Sequence, residues 1–172
     1  ADDPHHFRRI TGNYFGYGTG GHTDEFVRFA NDSTILLAWV SEAEKDKHPI
    51  NRLNYEILSA NYELLRNATN TAGKNYEVIK VPHPEPQTSP MVVDDRWSPE
   101  GMAEHGVSQG DTLQMTSASS YLNYLLTNEV VILPQYGDEN GEISAKDRQV
   151  RAIFEKLYPN KKMVGLNPVS LN

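Results

Sequence analysis

A histidine and an aspartate stand two residues apart, at His22 and Asp24, directly after a glycine-rich run. The stretch, residues 16–29, reads GYGTGGHTDEFVRF. Glycine has no Cβ, so a run of glycines allows a ligand to approach the backbone closely. Histidine exchanges protons near neutral pH and a carboxylate binds cations. The pair therefore has the side chains that acid–base chemistry on a positively charged substrate requires.

Phosphate binding is the first alternative use of such glycines. A P-loop needs a lysine after its last glycine, whereas Gly21 is followed by His22. The dinucleotide fingerprint needs a helix after the glycines. Here the following residues, 25–40, read EFVRFANDSTILLAWV and have the two-residue period of strands. The sequence therefore gives no support to a phosphate site.

Three interpretations of His22 and Asp24 stay open on residue types alone. In the structural one, the histidine bonds a backbone carbonyl and the aspartate caps a turn. In the second they are metal ligands, because alternate strand residues point the same way. That reading needs further ligands, and the histidines that could be recruited lie in unrelated loops. In the third, His22 is a general acid and base while Asp24 binds a cation.

Composition limits the class of protein. The chain has 172 residues, 38% of them hydrophobic and 23% charged, which is typical of one soluble globular domain. Its net charge of -7 argues against a nucleic-acid partner. It has no apolar run near the ~20 residues of a membrane span and no signal-peptide core, so we expect a cytoplasmic protein with no membrane contact. It has no cysteine, which excludes disulfides and a cysteine nucleophile from these residues.

The hydrophobic pattern predicts an α/β fold in which one plan occurs twice. In the first copy two strands joined at NDS lead to a helix over 50–70 and the strand NYEVIKVP. In the second, SYLNYLLTNEVVILPQY predicts two strands, Ser144 to Tyr158 a helix, and KKMVGLN a strand. Ser144 is a candidate N-cap with Asp147 as the capping-box acid. We therefore place a first ββαβ module in 1–82 and a second in 118–172.

The segment between the modules, 83–117, is rich in Pro, Gly, Ser and acids. A loop this long without periodic structure is a functional lid or a variable surface excursion. Trp97 lies in it within DDRWSP, and an aromatic ring among acids is a suitable wall for a cationic ligand. The sequence predicts an insertion or lid loop here.

Two segments resemble a known family. GTGGHTDEFVRFANDSTILLAWV is similar to the G-H-x-D segment of agmatine deiminases and of bacterial-type peptidylarginine deiminases. SASSYLNYLLTNEVVILPQYGDE, with the helix and PNKKMVGLNPVSL that follow, resembles the segment before their catalytic cysteine. These enzymes form the pentein, or guanidino-group-modifying, superfamily. The resemblance implies a ring of five ββαβ modules, a β/α propeller, of which this chain holds about two.

The resemblance also implies a reaction. A cysteine thiolate attacks the guanidinium carbon, ammonia leaves, and water releases a ureido product. His22 would serve as general acid and base, Asp24 would bind the guanidinium, and Gly21 and Trp97 would contact the substrate. No cofactor and no metal are implied. The substrate would be agmatine, converted with water into N-carbamoylputrescine and ammonia, or free or peptidyl arginine, converted into citrulline. A binding or scaffold domain without chemistry is the alternative of another class.

The chain departs from that family in two respects. The nucleophile is expected in a GGGxIHC-like stretch after the last strand, and a second carboxylate is expected from a module before G-H-x-D. We therefore expect a central part of a longer deiminase that is inactive alone. Uncovered module edges would leave apolar surface in water, so we expect the rest of the same enzyme or another copy as partner.

Overall fold

The computed structural model describes residues 7–17, 22–137 and 142–168. Over these ranges the chain forms ten strands, three α-helices and a single 3₁₀ turn, Thr23–Glu25. In chain order the strands and helices are β1 (Phe7–Thr11), β2 (Tyr14–Tyr17), β3 (Val27–Asn31), β4 (Thr34–Trp39), α1 (Pro49–Leu65), β5 (Glu77–Pro82), β6 (Thr88–Val92), α2 (Pro99–His105), β7 (Thr112–Thr116), β8 (Leu125–Leu126), β9 (Val130–Pro134), α3 (Ala145–Leu157) and β10 (Lys162–Leu166).

The chain divides into two compact units. Unit 1 comprises Ala1–Gly21 and Pro86–Ala118, and unit 2 comprises His22–Glu85 and Ser119–Asn172. These boundaries differ from the predicted 1–82, 83–117 and 118–172. The difference arises because 83–117 does not stand apart as an insertion: its strand β7 pairs with β2, and its strand β6 pairs with β7.

The first module of unit 2 has the predicted ββαβ order. β3 and β4 are antiparallel, with Val27 opposite Leu37, and β5 lies parallel to β4 beyond α1. β4 is the central strand, which explains its almost unbroken apolar run and its burial. The sequence predicts that this helix continues to about residue 70, but α1 ends at Leu65. Beyond it the Asn70 side chain accepts hydrogen bonds from the Ala72 and Lys74 amides and so stabilises a turn instead.

The second module repeats that order. β8 and β9 are antiparallel, and β10 lies parallel to β9 beyond α3. The capping box at Ser144 and Asp147 is confirmed. β8 is only two residues long, shorter than the predicted strand. The reason lies upstream, where the Ser120 amide donates to the Tyr136 hydroxyl and the Leu122 amide donates to the Ser120 hydroxyl instead of to a neighbouring strand.

The two modules of unit 2 share one hydrophobic core. Its buried residues come mainly from β4, β5 and α1 of the first module, and from β9, β10, α3 and the segment just before β8 in the second. The most completely buried of them are Leu36, Leu37, Val81, Leu122, Val131 and Phe154. Since both modules contribute, each covers an apolar face that the other would leave in water.

Unit 1 contains a four-stranded sheet in the order β1-β2-β7-β6, with a separate small core. The expectation that 83–117 is a loop without periodic structure is therefore wrong, because the segment holds β6, α2 and β7. Pro90 obscures the strand signal of β6, and it is tolerated there because β6 is an edge strand. Gly106, at a φ of 64°, ends α2 in the left-handed conformation that glycine adopts without steric cost.

Candidate active site

His22 and Asp24 lie on the surface of unit 2, immediately before β3. Asp24 is in the 3₁₀ turn Thr23–Glu25, and His22 is the residue that precedes it. Both side chains are exposed. The expectation that they alternate along a strand is wrong, since the strand begins only at Val27. The turn nevertheless presents an imidazole and a carboxylate together to solvent.

Three hydrogen bonds, accepted by the Thr23, Glu25 and Phe26 carbonyls, hold the turn in place. The Phe26 amide donates to the Thr23 carbonyl at 3.1 Å, and the Ala38 amide of β4 donates to the Phe26 carbonyl at 2.9 Å. The Ser120 hydroxyl of the second module donates to the Glu25 carbonyl at 2.5 Å. The His22–Asp24 segment is thus held between a buried strand and the neighbouring module.

Glu25 adds a second carboxyl group to this turn, and sequence reasoning overlooked it although it directly follows Asp24. Partial burial raises the pKa of Glu25, and the nearby Asp24 charge raises it further, while His22 acts in the opposite direction. A carboxyl group with a perturbed pKa beside an imidazole is a feature of functional sites. The turn therefore places a partly buried carboxyl group with a raised pKa directly beside the exposed Asp24.

A polar network missed by the sequence analysis runs from the turn into the second module. The Tyr136 hydroxyl accepts from the Ser120 amide at 2.7 Å and donates to the Ser120 carbonyl at 3.2 Å. The Tyr136 amide in turn donates to the Asp147 carboxylate at 3.0 Å. Burial raises the pKa of Tyr136 to about 12, so its hydroxyl remains a donor at neutral pH. Ser120 and Tyr136 stand in the segments SASSYLNY and LPQY, which would have been the signal for them.

Asp147 anchors the far end of this network. Its side chain is buried, and its two carboxylate oxygens accept hydrogen bonds from the Tyr121 hydroxyl and from the Tyr136, Gly137 and Ser144 amides. Burial alone would raise the pKa of Asp147, but the hydrogen bonds from Tyr121 and Ser144 outweigh it and lower the pKa. The carboxylate is therefore ionised in the folded protein at neutral pH, where it organises this module.

Arg28 and Arg96, whose charge would suit an acidic substrate tail, both have partners within the protein. Arg28 donates to the Leu122 and Tyr124 carbonyls at 2.9 and 2.7 Å, and its guanidinium lies 4.1 Å from the centre of the Tyr124 ring. Arg96 pairs with Asp94. Arg28 thus joins the two modules of unit 2 rather than projecting freely from β3.

Trp97 and Gly21 are the other predicted substrate contacts, and the structure describes only Trp97. Trp97 is 8% exposed and belongs to the core of unit 1, where its ring meets Phe15 and His105 edge to face. A ring packed this way presents little of its face to a ligand. Gly21 lies outside the described residues.

The described residues show no cluster of three or more side chains able to hold a metal ion. Two surface cavities of unit 2, of about 500 and 400 Å³, are lined by residues other than His22 and Asp24. Among the helices described, none has the length and apolar character needed to cross a membrane. The candidate site is therefore an open surface turn in this part of the chain.

Comparison with known proteins identifies the family of the chain. A model of the Porphyromonas-type peptidyl-arginine deiminase family matches residues 8–171, so the chain belongs to that family. "Putative agmatine deiminase 1" of Listeria monocytogenes is 32% identical over 151 residues, which are 86% of this chain and 36% of that protein. "Putative agmatine deiminase" of Selenomonas ruminantium is 29% identical over 148 residues, 86% of this chain and 35% of that protein.

The fold agrees with that of a solved structure. The agmatine deiminase of Enterococcus faecalis superposes with a TM-score of 0.59 at 21% identity, covering 99% of this chain and 54% of that one. The mixed α/β architecture, with three helices and three sheets in the described residues, is thus the architecture found in agmatine deiminases. The chain spans a little over a third of the length of the curated relatives that it matches.

Proposed function

We propose that this chain supplies the acid–base histidine and the guanidinium-binding aspartate of an agmatine deiminase-like hydrolase. The observation that carries the proposal is the exposed His22–Asp24 turn, fixed by β4 and by the second module, in a chain that belongs to a deiminase family. We further infer that the two ββαβ modules of unit 2 are two of five arranged in a ring. That arrangement would give the turn a central cavity to face.

The reaction uses three groups in order. A cysteine thiolate, supplied from outside these 172 residues, attacks the central guanidinium carbon and forms a C–S bond. His22 gives a proton to the amino group that departs as ammonia, and then takes one from the water that attacks the same carbon. The C–S bond breaks, which releases the ureido product and restores the thiolate. Asp24 accepts hydrogen bonds from two guanidinium N–H groups, the geometry that this planar cation favours.

Agmatine is the substrate that we favour, with N-carbamoylputrescine and ammonia as products, a step toward putrescine. The curated relatives carry the name agmatine deiminase, and the arginines Arg28 and Arg96 are already engaged within the protein. An arginine substrate carries a carboxylate that a cationic side chain would bind. Free or peptidyl arginine, giving citrulline, remains the second candidate because the matching family is described as peptidyl-arginine deiminases.

The experiment is a product assay on the complete polypeptide that contains this chain. Ureido product and ammonia are measured with agmatine, free arginine and an arginine peptide. We expect agmatine to be turned over, and we expect H22Q and D24N to lower kcat/KM at least about 10³-fold, in the range seen when a catalytic group is removed.

The matched control is D32N, an equally simple Asp→Asn change at an exposed position in the turn between β3 and β4. It should leave kcat/KM within about twofold, since surface changes away from a site have small effects. If arginine is turned over and agmatine is not, arginine replaces agmatine as the proposed substrate. Absence of turnover with every guanidinium compound would leave the non-catalytic binding domain as the function.

A further inference from the structure

We propose that Ser120 is a positioning residue, whose hydroxyl holds the His22–Asp24 turn in place across the junction of the two modules. Its catalytic meaning rests on the proposed function, although the structural link does not. Ser120 is 2% exposed, and its hydroxyl donates to the Glu25 carbonyl, 95 positions away in the sequence. A buried serine bonded to the last residue of the 3₁₀ turn fixes where the turn points.

The Ser120 hydroxyl has one hydrogen and can therefore donate only one hydrogen bond. Its oxygen accepts the Leu122 amide at 3.0 Å, and its single hydrogen is given to the Glu25 carbonyl. A buried donor or acceptor that loses its partner costs about 1–3 kcal/mol. Removal of this hydroxyl would therefore leave two backbone groups unpaired, the buried Leu122 amide and the partly buried Glu25 carbonyl, one on each side of the junction.

Tyr136 holds Ser120 itself. Its hydroxyl bonds both the amide and the carbonyl of Ser120, and its own amide is bonded to the buried Asp147 carboxylate. The edge-to-face contact with the Tyr121 ring, centroids 5.2 Å apart, restricts the Tyr136 ring further. The second module thus fixes the position of Ser120, and the Ser120 hydroxyl in turn fixes the position of the Glu25 carbonyl in the first module.

The turn depends on this support because its internal bonds are few. The Glu25 amide donates to the His22 carbonyl at 3.4 Å, a long hydrogen bond, and within the described structure the His22 side chain does not cap the turn. The Phe26 carbonyl is tied to β4, whereas the Glu25 carbonyl is tied to Ser120. A displacement of about 1 Å in a catalytic group can cost about 10²-fold in rate.

The test compares S120A and Y136F with Y158F in the complete polypeptide. The Tyr158 hydroxyl also links the second module to β3, through the Ala30 carbonyl at 3.4 Å, but at the end of β3 away from the turn. Y136F and Y158F therefore make the same chemical change, the first in the support of the turn before β3 and the second near the far end of β3. Amide hydrogen exchange at Phe26 reports on the turn without needing any substrate.

We expect S120A and Y136F to speed exchange of the Phe26 amide at least about 10-fold, and Y158F to leave it unchanged. We expect S120A to lower kcat at least about 10-fold, while Y158F stays within about twofold at a similar melting temperature. Unchanged exchange at Phe26 in S120A, or faster exchange with an unchanged kcat, would overturn the inference. An inactive wild-type enzyme would instead refute the proposed function, and the exchange arm would still decide whether Ser120 holds the turn.

Discussion

At the scale of single residues, the role of a side chain follows from its surroundings rather than from its type. His22 and Asp24 are exposed on a turn, which suits groups that must meet a substrate. Asp147 carries the same carboxyl group as Asp24 but is buried among four donors. One carboxylate is therefore available for a ligand, and the other is committed to the fold.

Replacing Asp147 should reveal that structural role as a pH dependence of stability. D147N keeps one oxygen but turns the other acceptor into a donor that faces backbone N–H groups, so we expect a loss of about 2–3 kcal/mol in the free energy of unfolding at neutral pH. The folded pKa of Asp147 is lowered, so the stability it contributes is present above the unfolded carboxyl pKa of about 4 and is lost as the pH falls through the folded pKa.

Urea unfolding of the wild type and D147N at pH values from about 7 down to about 2.5 measures this difference. The difference in the free energy of unfolding between the two proteins should become smaller as the solution becomes acidic. D46N, at an exposed aspartate that pairs with Arg52, is the control and should cost less than about 1 kcal/mol. If this difference in the free energy of unfolding stays constant over the whole pH range, the Asp147 charge does not contribute to stability.

At the scale of the elements, the repeat and the type of most elements could be predicted, because the two-residue and 3.6-residue periods are strong where one face is buried. The capping box at Ser144 was likewise readable from spacing. The strands of 83–117 could not be read, since Pro90 interrupts β6 and long-range pairing with β2 leaves no local pattern. The role of Ser120 was also hidden, because its partner Glu25 is distant in the sequence.

The edge strands of unit 2 carry exposed apolar side chains. Phe29 on β3, Leu125 on β8 and Leu166 on β10 are each more than half exposed, and each strand lies at the edge of its sheet. Exposed edges of this kind pair with other chains. We therefore expect the 172-residue chain to associate in a concentration-dependent way, and F29K combined with L125K to reduce that association.

Light scattering coupled to size-exclusion chromatography gives the mass. The control is L64K, which replaces an apolar residue on α1 that is even more exposed but does not lie on a strand edge. It should leave the association unchanged. A stable monomer of 19.4 kDa at every concentration would contradict the expectation of a partner at these edges.

At the scale of the whole molecule, the chain is a pair of ββαβ modules with one core, together with a separate small sheet unit, and it belongs to a deiminase family. The family could be predicted from two sequence segments, since G-H-x-D and SYLNY…LPQY stand in the expected order. Sequence alone could not show that the second segment physically holds the turn of the first. The two segments form a single structural unit through that contact.

The most direct test of the central claim is a crystal structure of the complete polypeptide with agmatine bound. We expect both Asp24 carboxylate oxygens to lie about 2.7–2.9 Å from two guanidinium nitrogens, with the His22 imidazole on the side from which ammonia leaves. A guanidinium bound elsewhere, with His22 and Asp24 still facing bulk solvent, would contradict it.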